Sequence, residues 1–106
     1  MQQMTVCELK TRLDQTGAKP VILDVREDWE TKLCALPGST LIPMGQVPAR
    51  SAELDPDREI VVVCHHGIRS LHVAKFLASQ GFKRLYNLQG GVDAWAREIE
   101  PTMHKY

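Results

Sequence analysis

The chain has 106 residues, 43% of them apolar, enough for one ordinary hydrophobic core, so a single domain over residues 1–106 is expected. Thirteen basic and thirteen acidic side chains cancel, which leaves no global field to draw the protein to nucleic acid or to an anionic membrane. No apolar run approaches the roughly 20 residues that span a bilayer, the segment Met1-Gln2-Gln3-Met4-Thr5 has no secretory pattern, and three cysteines form no disulfide framework, so the expected location is cytoplasmic.

In chain order, Thr5-Val6-Cys7-Glu8 fits a capping box, with Val6, Leu9 and Leu13 on one helical face, predicting a helix from Val6 to Gln15. Gly17 and Pro20 end it. Val21-Ile22-Leu23-Asp24-Val25 is a nearly continuous apolar run, as in a strand covered on both faces. Asp24 interrupts that run, and Arg26 is its nearest local partner, because an isolated buried carboxylate is too costly to keep. Glu27 to Lys32 favour a short helix, and Pro37-Gly38 a turn. Ser39-Thr40-Leu41-Ile42 reads as a strand closed by Pro43, and Pro48 opens a helix through Leu54 that Asp55-Pro56-Asp57 breaks. The strand Ile60 to Val63 follows, then a loop, then helical spacing of Leu71, Ala74, Leu77 and Ala78 from Ser70 up to Gly81. Leu85 to Leu88 is the last strand, turned by Gly90-Gly91 into a closing helix with Ala94 and Trp95. Strands alternating with helices over short connections predict an α/β fold with a parallel sheet.

The chemistry is expected in the loop Cys64-His65-His66-Gly67-Ile68-Arg69-Ser70. Cys64 falls at the carboxyl end of a buried strand and just before a helix, where unpaired N–H groups and the helix dipole favour an anion. Such a position, with Arg69 nearby, favours a nucleophilic thiolate. Amides of His65 to Arg69 curled around the sulfur would form an anion nest, with Gly67 permitting positive φ and Arg69 adding charge or bracing the loop against a carboxylate such as Asp24. A sulfur packed into the interior, with those amides turned aside, would remove the catalytic expectation.

Leu23-Asp24-Val25-Arg26-Glu27, the Pro37-Gly38 turn leading to Ile42-Pro43, the loop Cys64 to Ser70, and Gly90-Gly91-Val92-Asp93-Ala94-Trp95, in this order, resemble the single-domain rhodaneses, a sulfurtransferase family. The resemblance implies a rhodanese-like fold with a five-stranded parallel sheet flanked by helices on both faces. It also implies that Cys64 accepts sulfane sulfur as a persulfide from a small-molecule donor such as thiosulfate and passes it to a thiophilic acceptor: cyanide, a thiol or a protein. His65, His66, Gly67, Ile68 and Arg69 would then line the substrate site, supported by Asp24, Arg26 and Ser70. No cofactor is expected. The chain departs from the family in Cys34-Ala35-Leu36-Pro37-Gly38-Ser39, where many relatives read Gly-His-Ile-Pro-Gly-Ala. It also carries His65-His66 where two-domain thiosulfate:cyanide enzymes commonly place basic residues, and imidazoles are only partly charged at neutral pH.

Two other readings stand beside this one. A non-turnover sulfur-delivery, binding or sensing module would keep the fold and dock on a partner. A cysteine-dependent phosphatase or arsenate reductase would need a loop wide enough for an oxyanion; phosphatases of related fold place five residues between Cys and Arg, and here four stand between Cys64 and Arg69. Metal ligation by His65 and His66 with Cys64 or His72 is disfavoured, since adjacent ligands on a tight loop rarely close a tetrahedral site. Cys7 is expected to pack on its helix, Cys34 to be an ordinary loop thiol, Asp24 and Arg26 to form a structural ion pair, Trp29 and Trp95 to be core anchors or pocket walls, and Gly90-Gly91 to make a tight turn.

Overall fold

The computed structural model describes residues 1–106. Its elements are β1 (Gln2–Met4), α1 (Val6–Asp14), β2 (Val21–Asp24), α2 (Asp28–Leu33), β3 (Thr40–Leu41), α3 (Val47–Arg50), β4 (Ile60–Val63), α4 (Ile68–Ser79), β5 (Leu85–Leu88) and α5 (Gly91–Glu98). The strands make one five-stranded sheet in the order β1-β5-β4-β2-β3, with every neighbouring pair parallel. This is the α/β architecture expected.

Alternation along β4 divides the core. Ile60, Val62 and Cys64 face Val73, Ala74 and Leu77 of α4 and Val47 of α3, while Val61 and Val63 face Leu9 of α1 and Val92 and Trp95 of α5. Both faces are covered, which explains why β4 reads as an unbroken apolar run. The Thr5 hydroxyl accepts from the Glu8 amide and Glu8 accepts from the Thr5 amide, so the capping box starts α1 as predicted.

Several boundaries differ. The strand β1 has no counterpart in the sequence reading: Gln2-Gln3-Met4 carries no apolar pattern, and its pairing with Tyr86, Asn87 and Leu88 on the sheet edge makes it a strand. The segment expected as one helix from Pro48 to Leu54 is instead a single α turn between two 3₁₀ turns, Met44–Gln46 and Ser51–Glu53. The strand expected over 39–42 shortens to Thr40–Leu41, and α4 begins at Ile68, two residues before Ser70.

The chain leaves β2 toward β3 on one side and leaves β4 toward β5 on the other. The crevice between their carboxyl ends is the switch point at which open α/β sheets place their ligands. Asp24 to Arg26 follow β2 there, and Cys64 follows β4.

Candidate active site around Cys64

Cys64 leaves the end of β4 only 1% exposed, and its sulfur touches polar atoms of its own loop. The Gly67 amide donates to Sγ at 3.1 Å, and the Ser70 hydroxyl lies 3.3 Å away. Of the five amides expected to surround the sulfur, Gly67 alone makes this bond. Gly67 adopts φ +102°, where a side chain would be strained, although a Cβ would meet the Leu88 carbonyl and the Gly90 amide only at contact distance, 3.4 Å. The sulfur is thus buried, with one amide aimed at it rather than turned aside.

The backbone of the loop is held from outside. The Val92 and Asp93 amides, in the first turn of α5, donate to the Cys64 and His65 carbonyls at 2.9 and 3.0 Å. Turning those carbonyls outward leaves the loop amides free to face inward. The close approach depends on Gly91: a Cβ there would lie 2.3 Å from the Cys64 carbonyl oxygen and 2.5 Å from that of His65. The glycine pair is more than a tight turn.

Asn87 was not foreseen as part of the site. From the middle of β5 its amide nitrogen donates to the Gly67 carbonyl at 3.1 Å, and its oxygen accepts from the Ser70 hydroxyl. The single hydrogen of Ser70 is therefore committed to Asn87, and the Ser70 oxygen is available as an acceptor toward the Cys64 thiol. A polar residue inside the apolar strand Leu85-Tyr86-Asn87-Leu88 was the signal available in the sequence.

Two ion pairs support the mouth of the loop. Arg26 is fully buried, bonded to Asp24 at 2.7 Å, to the Cys34 carbonyl at 2.7 Å and to the Tyr106 hydroxyl at 2.9 Å. Burial pushes its pKa down, but Asp24 and Tyr106 outweigh that and raise it. The structural ion pair expected of Asp24 and Arg26 is present. Arg69 does not reach Asp24; it forms a bidentate pair with Glu30 on α2 at 2.6 and 2.8 Å. Glu30 also accepts from the Glu27 amide and from Tyr106, and Arg69 foremost holds its carboxyl down at about 2, against the opposing effect of burial. Neither Glu30 nor Tyr106 was singled out from the sequence, since both reach the loop from distant positions.

His65 is stacked between the Tyr106 ring, with centroids 3.9 Å apart, and the His66 ring at 4.0 Å. Burial and the neighbouring His66 lower the His65 pKa. Asp93, rather than Cys64 or His72, completes a group with His65 and His66 whose donor atoms lie within 4.8 Å of one another. Ile68 is exposed on the loop. Trp29 is no core anchor: it is 62% exposed and meets Tyr106 edge-on, whereas Trp95 is buried. Cys7 is exposed rather than packed, and Cys34 is half-buried beside Arg26.

Comparison with known proteins bears on the family and the fold. The rhodanese-like domain family matches residues 5–98. A sulfurtransferase from Allochromatium vinosum is 36% identical over 83 residues, covering 78% of each chain. The chloroplastic Rhodanese-like/PpiC domain-containing protein 12 of Arabidopsis thaliana is 37% identical over 89 residues, which span 80% of this chain and 30% of that longer protein. The crystal structure of a rhodanese-like domain protein from Staphylococcus aureus superimposes with a TM-score of 0.85 at 33% identity, covering 93% of this chain and 95% of that one. The chain belongs to the rhodanese-like family.

Proposed function

We propose that this protein is a sulfurtransferase in which Cys64 carries sulfane sulfur as a persulfide. The Cys64 thiolate attacks the outer sulfur of a donor; the new Cys64 S–S bond forms as the donor's S–S bond breaks, and the electron pair of that bond leaves with the donor's remaining group. A thiophilic acceptor then attacks the outer sulfur of the Cys64 persulfide and regenerates the thiolate. The observation that carries this reading is the Gly67 amide directed at the Cys64 sulfur at the carboxyl edge of the sheet, ahead of α4. Membership of a family whose relatives include named sulfurtransferases supports sulfur transfer in general. His65, His66, Gly67, Ile68 and Arg69 then form the rim, and Asp24, Arg26 and Ser70 support it.

The cup is short for an oxyanion, with four residues between Cys64 and Arg69, and Arg69 is engaged by Glu30 instead of facing a phosphate. Both points weigh against the phosphatase and arsenate reductase reading. Burial of Cys64 favours a second reading, delivery to one partner with little unaided turnover, because a residue only 1% exposed gives a free donor little access to its sulfur.

Mass spectrometry of reduced protein after exposure to sulfane donors is expected to show one added sulfur atom on the Cys64 peptide, and none in Cys64→Ser. Failure of every donor to load Cys64 would end the persulfide reading. Loading that reaches completion only with a protein partner present would select the delivery role.

A further inference from the structure

The charge around the loop bears on the donor, an inference that rests on Cys64 being the sulfur carrier. We propose that the site takes sulfur from a thiol persulfide, R–S–SH or R–S–S⁻, in preference to the thiosulfate dianion, because both guanidinium groups beside the loop are held by carboxylates.

Arg69 is spent on the two oxygens of Glu30, and Arg26 on Asp24, so each pair sums to zero. His65 is sandwiched between Tyr106 and His66, and Asp93 beside it holds Arg97. Lys105, which with His104 lines the narrow cavity next to His65, turns its ammonium to the Pro101 carbonyl. What remains for an incoming anion is the dipole of the Gly67 amide, the amino end of α4 and the Lys105 ammonium held by a neutral carbonyl; neither guanidinium beside the loop is free of a carboxylate. A single-charge sulfur can be held by such dipoles. A dianion approaching a thiolate needs a cation as well.

The balanced steps show the difference. With thiosulfate, Cys64–S⁻ attacks the outer sulfur, the S–S bond breaks and SO₃²⁻ leaves, so three negative charges meet in the cup. With a persulfide, Cys64–S⁻ + R–S–SH gives Cys64–S–SH + R–S⁻, and one negative charge is present throughout. If the donor is ionised there are two. No external oxidant or reductant enters either step. Ile68 at the start of α4 is 69% exposed, and Trp29 on α2 and Met44 beyond β3 are also exposed.

The test compares thiosulfate with a small alkyl thiol persulfide that carries no other charge, 2-hydroxyethyl persulfide, with cyanide as common acceptor, and follows both kcat/KM and sulfur loading of Cys64. The alkyl persulfide is expected to exceed thiosulfate at least tenfold in kcat/KM, and thiosulfate kcat/KM to stay flat or rise with ionic strength, as for a site whose guanidinium groups are paired. E30Q releases the Arg69 charge and is expected to narrow the ratio roughly tenfold, mainly through a lower thiosulfate KM. The salt series on the unaltered protein decides the matter if E30Q does not fold. Equal or better use of thiosulfate, falling steeply with salt, would overturn the donor assignment while leaving Cys64 as carrier. Loading by neither donor would overturn the carrier reading along with it.

Discussion

At the scale of single residues, the candidate site is built on hydrogen-bond accounting. Gly67 supplies its N–H to the Cys64 sulfur, and its carbonyl is taken up by Asn87, which also fixes the Ser70 hydroxyl. Asn87 is 3% exposed, so removing its amide takes its partner from the half-buried Gly67 carbonyl and leaves the buried Ser70 hydroxyl only the Cys64 sulfur. Asn87→Leu is expected to cost about 2–3 kcal/mol in urea unfolding and to slow sulfur loading of Cys64 more than it slows alkylation of the exposed Cys7. Equal slowing of both would mean general loosening rather than loss of loop geometry. Cys64 and Gly67 were legible because a thiol and a glycine in a strand-loop-helix pattern have few other uses. Glu30 was not, since a carboxylate near the start of a short helix is ordinary, and only the fold carries Arg69 to it.

At the scale of elements, α5 acts as a clamp on the loop. Its first amides hold the Cys64 and His65 carbonyls, and the contact is possible because Gly91 has no Cβ. Gly91→Ala would place a carbon within overlap distance of two carbonyl oxygens at φ +60°, so loop or helix must retreat. The expected cost is roughly 3 kcal/mol, with a measurable loss of Cys64 persulfide formation. Gly45→Ala meets nothing within 4 Å and is the control, expected to be nearly silent. Helices α1 and α4 and strands β2, β4 and β5 could be read from the sequence because capping, apolar run and helical spacing agree locally. The strand β1 and the broken region around α3 could not, because edge pairing and short turns leave little trace in composition.

At the scale of the whole molecule, Glu30 ties α2, the loop and the carboxyl-terminal Tyr106 together, and the tie is sensitive to acid. Its carboxyl is held at about 2 in the folded protein against 4.5 as the ordinary value, so the folded state binds this proton less readily than the unfolded state. The stabilisation is complete above about pH 4.5 and is lost as pH falls from there toward 2. It amounts to roughly 3 kcal/mol at neutral pH. The difference in urea midpoint between the unaltered protein and E30Q should therefore be widest near neutrality and close progressively through that acid window. A difference that does not change with pH would show that Glu30 acts by shape instead of charge.

The amino-acid sequence by itself determined the alternation of strands and helices, the position of a cysteine at a strand end before a helix, and the likeness to one family, because each depends on residues close together in the chain. The tertiary structure decided which carboxylate takes Arg69, which amides turn the loop carbonyls outward, and that Tyr106 lies flat on His65. Those contacts join residues tens of positions apart, and their energies arise only when sheet order and helix packing bring charge, ring and amide within hydrogen-bond or stacking distance.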